Sequence, residues 1–128
     1  QAEPEGIALL ARGTGGYWIT TDQQKTRTVF HLLDRRTLAF VGAFTGRVVA
    51  NTDGIVVASA AVEGFPEGAL FAVHNDASVA AFSWPAIATA LALPSGPSVS
   101  AEGRGDAPGN PNPTRRVRPA SGQATATK

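Results

Sequence analysis

Glu5-Gly6-Ile7-Ala8-Leu9 returns 48 residues later as Asp53-Gly54-Ile55-Val56-Val57. Each copy is a carboxylate, a glycine and an apolar run of strand character. Each is followed by a second strand-like run that ends in a polar, acid-containing corner. After the first copy this is Tyr17-Trp18-Ile19-Thr20-Thr21, ending at Asp22-Gln23-Gln24. After the second it is Ala69-Leu70-Phe71-Ala72-Val73, ending at His74-Asn75-Asp76. An all-β repeat of this length matches one blade of a β-propeller.

The repeat has a geometric consequence. Consecutive strands joined by short turns run antiparallel, so the start of the first strand and the end of the second share one rim of a blade. Glu5, Asp53, the corner from Asp22 to Lys25 and the corner from His74 to Asp76 are therefore expected at one end of the sheets. Carboxylates gathered there suit a hard cation, which takes oxygen ligands. The same acids also suit plain turn capping, a common role of Asp.

Working outward, Gly6 to Leu10 reads as a strand. Arg12-Gly13-Thr14-Gly15-Gly16 reads as a turn, and Tyr17 to Thr21 as the second strand. Thr26 to Leu33 alternates, with Val29, His31 and Leu33 on one face and Thr28, Phe30 and Leu32 on the other. Asp34-Arg35-Arg36-Thr37 turns the chain into a fourth strand, Leu38 to Phe44. The second unit has three strands: Ile55 to Ser59, Ala69 to His74 and Val79 to Ser83. A short helix then starts at Trp84, with Ser83 as N-cap and Pro85 in the first turn, and ends near Leu93-Pro94. The fold class is thus all-β: a four-stranded and a three-stranded antiparallel blade over 1–94, then a tail over 95–128.

The tail is rich in Pro, Gly, Ser, Ala and Thr, and its large apolar residues are Val99 and Val117. It cannot bury enough surface to offset the entropy of ordering, so it is expected to be disordered. Residues 1–94 hold six bases and eight acids, a net charge of −2, and residues 95–128 hold five bases and two acids, a net of +3. Neither value points to nucleic acid. The basic Arg115-Arg116-Val117-Arg118 reads as part of a solvated tail. With no Cys, disulfides and thiolate metal sites are excluded. No apolar run is long enough to span a membrane. Gln1-Ala2-Glu3-Pro4 has neither the basic nor the apolar region of a signal peptide. The absence of an initiator Met fits a processed product or a piece of something longer.

Several separated phrases, in order, resemble the C-terminal part of the β-propeller phytases. They are Glu3-Pro4-Glu5-Gly6-Ile7, Gly15-Gly16-Tyr17-Trp18-Ile19, Asn51-Thr52-Asp53-Gly54-Ile55 and Phe65-Pro66-Glu67-Gly68-Ala69-Leu70-Phe71-Ala72-Val73. The closing Ala81-Phe82-Ser83-Trp84-Pro85-Ala86-Ile87-Ala88 is similar to that family's ending. The resemblance covers about residues 2 to 93. It implies a six-bladed propeller that hydrolyses phosphate monoesters of inositol hexakisphosphate, with calcium at the rim holding phosphate and activating water. It implies calcium-ligand positions at Glu5 and Asp53, with Glu3 on a further acidic position. It also implies a secreted or periplasmic protein.

That chemistry is physically coherent. A bound divalent cation neutralises phosphate charge and lowers the pKa of its water, so no Ser or Cys nucleophile is required. Lys25 and Arg27 border the same rim and are candidate phosphate contacts, with simple exposure as the other reading. His31 reads as a strand residue and His74 as a corner residue. The departures are equally definite. Thr45 to Thr52 carries no carboxylate where the family has a further acid, and His74-Asn75-Asp76 stands where the family has Gln-Asp-Gly. Two blades leave edges open, and repeat architectures need about three repeats for stability. The chain alone is therefore expected to be a poor or inactive enzyme. It needs other blades of its propeller as partners. The alternative is a non-catalytic propeller fragment that binds another chain.

Overall fold

Seven strands and one helix form in the order expected, in a computed structural model that describes residues 3–94 and 125–127. The first sheet is built from β1 (Ile7–Arg12), β2 (Gly15–Gln23), β3 (Thr28–Asp34) and β4 (Phe40–Thr45), each antiparallel to the next. The second is built from β5 (Ile55–Ala58), β6 (Ala69–His74) and β7 (Ser78–Ser83), also antiparallel. The helix α1 (Trp84–Ala90) follows β7 directly. The two sheets are blade-like, as the repeat predicts. Most of the segment read as a disordered tail lies outside the described residues. Its Thr125–Thr127 forms β8, an antiparallel fifth strand on the edge of β4.

β2 runs two residues beyond the expected Thr21, into the polar corner, because Asp22 and Gln23 pair with Val29 and Thr28 of β3 and Glu3 lies on the other side. The Gln23 N–H donates to the Glu3 carbonyl at 2.9 Å. β1 and β2 meet through Gly13 and Thr14, and Gly13 takes the left-handed φ of 56° that glycine adopts without cost.

The alternation read in β3 sorts its side chains as expected. Thr28, Phe30 and Leu32 are buried, while Val29, His31 and Leu33 lie half-buried on the opposite face. The inner faces of the two sheets meet in a core of Leu10, Ile19, Phe30, Leu32, Leu70 and Phe82, joined by Phe44 and Ile87. Phe82 of β7 packs edge-on against the stacked rings of Phe30 and Phe44, with centroids at 5.5 and 5.8 Å. Edge-on aromatic packing of this kind adds to area burial.

α1 takes the place a fourth strand would hold in the second sheet. The Ser83 hydroxyl accepts the Ala86 N–H and caps the first turn, with Pro85 in that turn. Ile87 enters the core, Trp84 packs on Tyr17 with centroids 5.5 Å apart, and Leu91 lies against Gly42 of β4. The helix stops in a Schellman arrangement: Ala92 has φ 51°, its N–H donates to Thr89 and the Leu93 N–H donates to Ala88.

One polar clamp crosses the sheets. Arg12, at the end of β1, donates to the carbonyls of Ser59 and Glu67 and lies over the Trp84 ring at 5.5 Å. The Ser59 hydroxyl accepts the Ala11 N–H at 2.9 Å, which satisfies part of the β1 edge.

Phe82→Ala empties the contact between sheets and should cost about 3–5 kcal/mol of stability, read by urea denaturation. A second expectation concerns Asp34, whose Oδ1 accepts the Thr37 N–H (2.8 Å), the Arg36 N–H (2.9 Å) and the Thr37 hydroxyl (3.0 Å). The Thr37 backbone bond, then that of Arg36, hold this carboxyl below its ordinary value. Its contribution to stability is complete above the unfolded carboxylate value of about 3.9 and fades as pH falls through the lower folded value. Asp34→Ala should therefore lower stability at neutral pH and flatten its fall on the acid side, measured by thermal melts across pH.

Candidate functional site

The rim expected from the repeat exists. The Thr21 N–H donates to the Gly6 carbonyl, and the Val73 N–H donates to the Gly54 carbonyl, both at 3.0 Å. Both strand starts therefore lie beside the ends of their second strands, at one end of the sheets.

The connection from Gly46 to Gly54 joins the two corners. The Thr28 N–H donates to the Val49 carbonyl (2.8 Å), the Asn51 N–H to Gln24 (3.2 Å) and the Asn75 N–H to Ala50 (3.2 Å). His74 Nδ1 lies 3.1 Å from the Ala50 amide nitrogen, whose N–H it accepts. Beneath the rim the fully buried Thr28 and Thr52 hydroxyls share a 2.8 Å hydrogen bond, so neither is left unsatisfied. Val49, 2 % exposed, anchors the segment in the core.

Gln23 is the hub of the side chains above this floor. Its Nε2 donates to Asn51 Oδ1 at 2.8 Å and to Asp53 Oδ1 at 2.7 Å. Asp22 accepts the Glu3 N–H at one oxygen and the Gln24 amide at the other, each at 3.2 Å. Glu3 and Asp53, from different sheets, are thus tied to adjacent residues of β2. Glu5 shares this end but has no hydrogen-bond partner among the described residues, and all three acids are exposed. Lys25 and Arg27 lie in the exposed corner between β2 and β3, where Arg27 Nε approaches Gln24 Oε1 at 3.4 Å. His31 is away from the rim, mid-strand, beside Phe40.

The donor chemistry of this rim, carboxylate and amide oxygen, fits a hard cation. The number of converging ligands does not. Among the described residues no three His, Asp or Glu side chains come together to hold a metal, whereas calcium takes about six to eight oxygens. One buried polar atom, Thr21 Oγ1, has no hydrogen-bond partner. It faces Gly6 and Ile55 rather than the acids.

Sequence reasoning placed Gln23 in the rim corner but missed its bridging role, and it missed Asn51 and the anchoring Thr28–Thr52 pair. Asn51 carried a signal: it has φ 49°, a left-handed conformation that Asn tolerates better than most residues and that is common in turns. No helix among the described residues is long and apolar enough to cross a membrane. No family model, curated protein or solved structure matches the chain.

Thr21→Val removes the unpartnered hydroxyl without changing side-chain volume. It should stabilise the fold by about 1 kcal/mol, visible as a higher urea midpoint with an unchanged slope.

Proposed function

We propose that the chain is part of a calcium-dependent phosphomonoester hydrolase acting on inositol hexakisphosphate, exported from the cell. The observation that supports this reading most is the common rim, where Glu3, Glu5 and Asp53 of both sheets stand at one end, with Lys25 and Arg27 beside them. The oxygens are hard ligands and the bases suit phosphate. The set is a share of a site, so the remaining ligands come from other blades, and this chain by itself turns over phytate poorly or not at all.

A second reading has its own observation. Ile7, Phe40, Val56 and Val79 each leave more than half of their surface exposed on the outward sheet faces. Apolar faces of this kind favour a non-catalytic propeller segment that binds another chain.

Calorimetric titration with calcium, with and without inorganic phosphate, tests the first reading. The expected result is saturable calcium binding that tightens with phosphate, weakened about tenfold or more by Glu5→Gln and by Asp53→Asn. Calcium binding by Glu5→Gln and Asp53→Asn that equals that of the unsubstituted chain removes the assignment.

A further inference from the structure

The two sheets are copies of one unit in register as well as in sequence. Ile7 faces Thr20 and His31 across the first sheet, and Ile55 faces Ala72 and Ala80 across the second. That register carries β1, β2 and β3 onto β5, β6 and β7, while β4 has no counterpart in the second sheet.

The match crosses faces. The inner row of the second sheet, Val57, Leu70 and Phe82, corresponds to Leu9, Trp18 and Leu33, on the outer face of the first. The inner row of the first sheet, Ala8, Ile19 and Leu32, corresponds to Val56, Phe71 and Ala81, on the outer face of the second. Within the chain, a front of the first type packs on a back of the second. Each molecule is left with one unused front and one unused back of the same kinds. Both are apolar: Val56 is 63 % exposed on the free front and Ile7 is 65 % exposed on the free back.

We propose that a second copy of this chain docks here, head to tail, so that the outer face of its first sheet covers the outer face of the second sheet. Contacts already made inside the chain specify the fit. Ile55 seats on Gly6, where an added Cβ would come 3.1 Å from Ile55 Cγ1, beside Thr21. The corresponding seat is Gly54 beside Val73, where an added Cβ would meet only Val73 Cγ2, at 3.8 Å. Ile7 of the neighbouring copy fills that space. Val73 stands in place of Thr21, so the repeated contact lacks the unpartnered hydroxyl.

The rim is matched too. Gln23, which donates to Asp53 between the sheets, corresponds to Asn75, and Asp53 corresponds to Glu5. Docking brings the exposed Asn75 amide to the exposed carboxylate of Glu5, which has no hydrogen-bond partner among the described residues. The Arg12 clamp is not repeated, because Ala60 stands at its position. His31 and, at the rim end, Asp22 are titratable groups on the outward face of the first sheet. Such a contact is heterologous, and it closes into a ring when the rotation permits. Propellers close at about four to eight sheets, which here is roughly two to four copies.

The inference rests on the packing of the two sheets, not on calcium chemistry, and its readout is mass. Light scattering across a concentration series should show assembly of the 128-residue chain. Ile7→Glu and Val56→Glu, both at exposed positions, should each leave a folded monomer by circular dichroism. An equimolar mixture of the two variants should recover a dimer and nothing larger, because each keeps the one face the other has lost. A wild-type chain that stays monomeric throughout the series overturns the proposal. So does either variant assembling like wild type, or a mixture that stays monomeric.

Discussion

The packing of Phe82 edge-on against the stacked Phe30 and Phe44 is the contact on which the rest of the structure depends. Neither sheet can be stable alone, since each presents apolar side chains on both faces and a few strands bury little. Once β7 is seated on β3 and β4, Ile87 follows it into the core and α1 lies over Gly42. The same contact fixes the distance between the sheets. That distance decides whether Arg12 reaches the carbonyls of Ser59 and Glu67, and whether Gln23 reaches Asp53.

The rim shows how a loop can carry the geometry of a site. Gly46 to Gly54 offers its backbone to both corners, taking the Thr28 amide on one side and the Asn75 amide on the other. The acids then ride on that loop and on the start of β1. Asp53 is held by a neutral amide, the Gln23 side chain, and remains exposed to solvent.

Much of the fold was legible because the sequence pattern is local. Alternation in β3, the paired Glu5-Gly6-Ile7 and Asp53-Gly54-Ile55 phrases, and Ser83 ahead of Trp84-Pro85 each encode one element in a few residues. The site was legible only as an address. Antiparallel pairing placed the acids at one end, but their linkage through Gln23 depends on how the two sheets meet, and no local pattern carries that. Thr28 and Thr52 looked like ordinary β-branched residues, and their mutual hydrogen bond exists only because a loop returns across β3. The extension of β2 into its polar corner rests on pairing with Val29 and Thr28 of β3, completed on the other side by the Glu3 carbonyl.

The pairing of β8 with β4 carries a consequence for local opening. The pairing of Thr45 with Thr125 joins residues 80 apart in sequence, and contacts between distant residues carry a closure entropy that near neighbours avoid. Three paired residues return little against such an entropy loss. The outer edge of the first sheet is thus guarded by the element that detaches most readily, while the seven other strands share short connections and the aromatic core. Amide exchange is therefore expected to be fastest where β4 meets β8 and slowest around Phe30.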